Sequence, residues 1–141
     1  MAVGNTEAGM QSQGGWPVTI NDPAVLAEVE AVFAAYETAL LANDNDTLAE
    51  MFLDRPETVR YGVNDVQHGY AEILAFRASQ TPFDRKLDRT VITSYGSACA
   101  TAQTMFSRED APGKIGRQTQ VWIRTPTGWK VAAAHVSMMD A

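Results

Sequence analysis

RKLDRTVITSYGSACATAQTMFSREDAPGKIGRQTQVWIRTPTGWKVAAAHVSMM, residues Arg85–Met139, is the stretch that decides the architecture. It breaks into four strand-like runs, from about Arg85 to Ser94, Ala98 to Ser107, Ile115 to Arg124 and Trp129 to Met138. The breaks between them, at Tyr95-Gly96-Ser97, Asp110-Ala111-Pro112-Gly113 and Thr125-Pro126-Thr127-Gly128, carry the glycines and prolines that tight turns use. Consecutive strands joined by connections this short pair antiparallel, so the run is a meander.

Upstream, the pattern changes from period two to helical spacing. Ile73, Phe76 and Arg77 predict a helix from about Tyr70 to Gln80, stopped before Pro82. Val59, Tyr61 and Val63 alternate with Thr58, Arg60 and Gly62, which predicts a strand over Glu57–Asn64, joined to that helix by a Val66–Gly69 connection. A short helix capped by Asp46 buries Leu48, Met51 and Phe52 and ends at Arg55-Pro56. The first helix has Asp22 as cap and Pro23 at its first position; Val25, Val29, Val32, Phe33, Tyr36 and Leu40 form its apolar face as far as Asn43. The order α-α-β-α-β-β-β-β predicts an α+β fold, three helices packed on one strongly curved antiparallel sheet. Residues 1–17, rich in Gly, Ser and Gln, read as a flexible tail before a single domain over residues 18–141.

Composition narrows the function. The chain has 141 residues, 45% hydrophobic and 20% charged, as expected of one globular domain. A net charge of -6 argues against nucleic acid, and an anionic ligand has to be held by a local arginine against the field of the whole molecule. The lone Cys99 reads as a small buried hydrophobe, with no disulfide and no zinc cluster. No signal peptide and no membrane-spanning run is visible, which makes the cytoplasm the expected compartment. Phosphate loops, Gly-x-Ser-x-Gly elbows and metal-ligand spacings are missing from the sequence.

Five segments carry a resemblance: VFAAYETALLANDNDTLAEMF with Tyr36, TVRYGV at Thr58–Val63, HGYAEILAFRASQ at His68–Gln80, GRQTQVW at Gly116–Trp122 and GWKVAAAHVSMM at Gly128–Met139. Together they resemble the AtzH/HpxZ-type branch of the superfamily of nuclear transport factor 2, ketosteroid isomerase and SnoaL, over about Asp22 to Met139. The resemblance implies a cystatin/NTF2-like cone. It also implies an accessory enzyme of nitrogen-compound catabolism working beside an amidase, which converts a carboxylated urea such as 1,3-dicarboxyurea to allophanate. The implied catalytic pair falls on Tyr36 and Arg60, without cofactor or metal.

The residues themselves leave alternatives. Tyr36 points inward, as a core tyrosine or as a proton donor to a pocket. Arg60, if inward, needs an internal carboxylate or an anionic ligand. Gln118, Gln120 and Trp122 share a strand face and make either an amide-reading wall for a urea-like substrate or an interface ladder, and Arg117 has the same ambiguity on the other face. His135 and Ser137 alternate with Val131 and Ala133, which predicts an imidazole near core or pocket; His68 reads as local structure. Asp65, Glu72 and Asp84 do not obviously supply the carboxylate base of ketosteroid isomerase chemistry. The leading expectation is a small-molecule enzyme with a small anionic substrate. The rivals are a non-catalytic binding or amidase-accessory module, and an isomerase or dehydratase. An apolar outer face at Lys130, Ala132, Ala134 and Val136 predicts a homodimer.

Overall fold

Local chemistry sets the helix ends in the computed structural model, which describes Gly15 and residues 17–141. The expected tail over 1–17 therefore lies, apart from Gly15 and Pro17, outside the described residues. Helix α1 (Pro23–Leu41) starts where the Asp22 carboxylate accepts from the Val25 amide at 3.2 Å, and Val25, Val29, Phe33, Tyr36 and Leu40 form its buried stripe. Helix α2 (Asn45–Met51) is capped by Asp44, not by Asp46 as the sequence suggested. Thr47, three residues after Asp44, offers that carboxylate both its amide, at 3.2 Å, and its hydroxyl, at 2.7 Å, and Asp46 falls in the first turn instead.

Strand β1 (Val59–Tyr61) is followed by β2 (Val66–His68), a three-residue strand where only a connection was expected. Helix α3 (Tyr70–Ala78) and the meander β3 (Arg85–Tyr95), β4 (Cys99–Arg108), β5 (Lys114–Thr125) and β6 (Gly128–Asp140) complete the chain. The six strands lie in the order β2-β1-β6-β5-β4-β3, antiparallel except where β1 runs parallel to β6. Three helices on a curved, mostly antiparallel sheet that does not close make this a cystatin-like NTF2 fold.

Two bulges break the register. Arg89 and Thr90 stand opposite Thr104 in the β3–β4 pair, and Ala132 is the extra residue of β6 against β5. A bulge adds bend and twist to a sheet, and it moves every residue beyond it to the other face. Inward residues of the sheet (Ala100, Ala102, Trp122, Val131) meet Val29, Phe33 and Tyr36 of α1 and Leu48 of α2 in one core. Each large side chain buried there contributes about 1.5–3 kcal/mol of transfer free energy. Cys99, expected in the core, is half-buried at the start of β4, one position out of phase with the inward Ala100.

Candidate functional site

A cavity of about 330 Å³ lies between α1, α3 and the inward faces of β1 and β3–β6. Buried Tyr36, Arg77, Phe106, Gln118 and Gln120 form its inner wall, half-buried residues make up most of the rest, and exposed Val63, Asn64 and Asp110 rim it.

Arg60 reaches this cavity from β1, 12% of its side chain exposed. It does not stand alone there. Its Nη1 donates to Asp65 Oδ1 at 2.6 Å and to Gln67 Oε1 at 2.8 Å, and Gln67 Nε2 donates to the same Asp65 oxygen at 3.0 Å. Asp65 comes from the Gly62–Asp65 turn joining β1 to β2, closed by the Gly62 amide on the Asp65 carbonyl at 2.9 Å. A β-carbon on Gly62 would collide with the Asp65 carboxylate, so glycine is what allows that carboxylate to fold back onto Arg60. Asp65, one of the three acids doubted as a pocket carboxylate, thus lines the cavity, but as the counter-charge of Arg60.

A second network ties α1 to the sheet. Arg85 of β3 is forked onto Glu37, with Nη2 to Oε1 at 2.6 Å and Nε to Oε2 at 3.0 Å, and its Nη1 donates to Gln118 Oε1 at 3.0 Å. Its guanidinium also lies 4.7 Å from the centroid of Phe106, the ring packed where Gly116 has no side chain. Glu37 follows Tyr36 on α1, so the fork holds the helix turn that presents the phenol. The Tyr36 ring packs edge-on against Phe52 and Trp122, both at 6.1 Å, and its hydroxyl has no hydrogen-bond partner among the described residues.

Arg77 is the residue that sequence reasoning placed only by its spacing. It sits on the inner face of α3, four positions after the fully buried Ile73, and is itself only 5% exposed. Its guanidinium lies 4.7 Å from the Phe76 centroid, and Arg60 lies 4.3 Å from the same ring. No carboxylate pairs with Arg77 among the described residues, and its Nε is buried without an acceptor. Burial therefore pulls its proton affinity below that of an ordinary guanidinium; Tyr36 and Asp65 act in the opposite sense, and the nearby Arg60 and Arg85 act with burial. The available signal was a charged residue on the apolar face of a helix.

The structure brings Tyr36, Arg60, Gln118 and Gln120 to one cavity and leaves Trp122 and His135 off it. Trp122 is sealed in the core and donates its indole N–H to Gln120 Oε1 at 3.0 Å. It orients the amide from behind instead of facing a ligand. His135 is exposed on the outer face, 5.8 Å from the Tyr61 ring, because the Ala132 bulge reverses the alternation on which the inward reading depended. Ser137 turns outward with it, accepting from Arg117 Nε at 3.2 Å. Ala134 and Val136, expected on the outer face, line the cavity for the same reason. His68 is exposed beside Tyr61, its amide donating to Glu72 Oε1 at 2.7 Å.

A family model described as AtzH-like matches residues 18–141. The chain belongs to the AtzH-like family. Among solved structures it is similar to a protein of unknown function from the DUF3225 family of Pectobacterium atrosepticum SCRI1043, with 46% identity, a TM-score of 0.82, and 86% of this chain and 95% of that one covered. A cystatin-like fold protein from Burkholderia xenovorans LB400 shares 44% identity with a TM-score of 0.84, covering 88% of this chain and 98% of that one. A ketosteroid isomerase-like protein from Erwinia carotovora atroseptica SCRI1043 shares only 16% identity at a TM-score of 0.64, over 84% of this chain and 99% of that one, a likeness of fold alone. No curated protein matches the sequence. Among the described residues no helix is long and apolar enough to cross a membrane.

Proposed function

We propose that this AtzH-like protein is an enzyme that removes a carboxyl group from a small carboxylated urea or related N-carboxy compound, of the type 1,3-dicarboxyurea to allophanate. The observation that carries the reading is the meeting of an unpartnered Tyr36 hydroxyl and the Arg60 guanidinium in one cavity. Arg60 holds the departing carboxylate in plane through its Nε and Nη2, because Nη1 is committed to Asp65 and Gln67. Tyr36 gives its proton to the adjoining nitrogen, the C–N bond breaks with its electron pair going to that nitrogen, and carbon dioxide leaves. A proton from solvent restores the phenol. Gln118 and Gln120 read the urea amide. The reading includes a role in nitrogen-compound catabolism beside an amidase, supported by family membership. It includes a cytoplasmic homodimer, which has to form on another face than the one expected, because Ala134 and Val136 line the cavity; light scattering tests it directly.

The test is turnover of 1,3-dicarboxyurea by the wild type, Tyr36→Phe and Arg60→Ala, followed by carbon dioxide release. Loss of about 10²-fold or more in kcat is expected for the tyrosine variant; unchanged turnover in both variants refutes the mechanism. One observation favours a second reading, a non-catalytic binding module: the counter-charge of Arg60 is already supplied by Asp65 at 2.6 Å. That reading predicts binding of small acids with no turnover by the wild type.

A further inference from the structure

Four arginines line the cavity, Arg60, Arg77, Arg85 and Arg108, and three carboxylates answer them. Asp65 pairs with Arg60 at 2.6 Å, Glu37 with Arg85 at 2.6 Å and Asp110 with Arg108 at 2.5 Å. Arg77 is left over, and it is among the most buried of them. A buried guanidinium without a counter-charge is among the costlier features a fold can hold, and a long apolar residue would fill the same space without that cost. Phe76 adds a second oddity. Both Arg60 and Arg77 lie against its ring, so two like charges are held no further apart than about 9 Å, the two ring distances together. Asp65 offsets part of that repulsion from the Arg60 side, and a ligand anion beside Arg77 offsets the rest.

A second orphan, on β5, lines the same cavity. Gln118 is 6% exposed, and its Oε1 is committed to Arg85. Its amide nitrogen therefore has to donate, and Gln118 Nε2 is buried with no acceptor. Two buried donors without acceptors, one charged and one neutral, thus belong to side chains that line one cavity.

We infer that Arg77 and Gln118 form a recognition point, distinct from Arg60, for a small acid bearing a carbonyl: Arg77 takes a carboxylate and Gln118 Nε2 donates to the carbonyl oxygen. The inference deepens the proposed function, resting on it only for the choice of cavity. With Arg60 on a second carboxylate, the preferred ligand is a diacid with a central carbonyl.

The probe is 3-oxoglutarate, in which methylenes replace both nitrogens of the carboxylated urea, titrated cold and fresh by calorimetry. Glutarate lacks the carbonyl, acetoacetate lacks one carboxylate, and inorganic phosphate offers charge without either. The expected order puts 3-oxoglutarate at least about tenfold tighter than the other three. Arg77→Met should weaken it at least about thirtyfold, while the ligand-free variant melts no lower than the wild type, because an uncompensated charge has gone. Arg77→Lys should recover part of the loss. Gln118→Glu keeps the oxygen that Arg85 needs and should abolish the preference over glutarate. The inference is overturned by Arg77→Met binding 3-oxoglutarate as the wild type does, by that variant melting lower with affinity unchanged, or by phosphate binding equally well. A wild type that binds 3-oxoglutarate through Arg77 yet leaves 1,3-dicarboxyurea intact supports this recognition point and refutes the proposed reaction.

Discussion

Replacing Asp65 by asparagine removes one negative charge from the cavity while keeping an oxygen that Arg60 and Gln67 can still use. The pair it breaks has an N–O distance of 2.6 Å, with 12% of the Arg60 side chain and 34% of the Asp65 side chain exposed. Two unit charges about 4 Å apart at an effective dielectric of about 20 attract by about 4 kcal/mol. Asp65 is about one-third open to water, so solvent screening and its own desolvation reduce the net contribution to about 1–2 kcal/mol. For a domain of this size that lowers the melting temperature by about 3–10 °C. Ligand binding should move the other way. With its internal counter-charge gone, Arg60 is free to bind an external carboxylate, and malonate affinity by calorimetry should rise by about tenfold. Gly62→Ala gives an independent route to the same state, since its new β-carbon drives the Asp65 side chain off Arg60 without changing any charge. The two substitutions should not add when combined, because both remove the same contact. A stability loss with malonate affinity unchanged or lowered would show that Arg60 is a structural cation, and the catalytic reading would fall with it.

Two further predictions concern the surroundings of the site. Trp122→Phe deletes the N–H that satisfies Gln120 Oε1 at 3.0 Å and should cost about 1–3 kcal/mol in urea unfolding; an unmoved midpoint would mean the amide finds another donor. Glu28 is held below the ordinary carboxylate range, first by the Trp129 indole N–H and then by Arg124. A depressed carboxylate contributes stability that is complete above its unfolded value, near pH 4.3, and is lost as pH falls through the lower folded one. Glu28→Gln should therefore flatten the acid limb of a stability–pH curve below about pH 4, and an acid limb identical to the wild type would contradict this.

The order of elements was legible because it is written in short-range periods. The α1 stripe from Val25 to Leu40 and the alternation along Arg85–Met139 each follow from residues a few positions apart, as do the turns at Gly96, Gly113 and Gly128. Tyr36 was readable for the same reason, since a helical face is a local property. Gln118 and Gln120 were readable too, because β5 alternates without interruption as far as Trp122.

His135 was not readable, because one inserted residue, Ala132, reverses the faces beyond it, and a bulge is defined by the partner strand. Strand β2 is only three residues long and exists through pairing with β1, so its own pattern is too short to announce it. The pairing of Arg60 with Asp65 depends on the turn at Gly62, and the isolation of Arg77 depends on which acids come near α3. Sequence alone determined the periodicities, and with them the layers and the side chains able to face inward. Tertiary structure alone decided which cations were neutralised. Charge pairing is a matter of a few ångströms between distant segments, and no local pattern carries that distance.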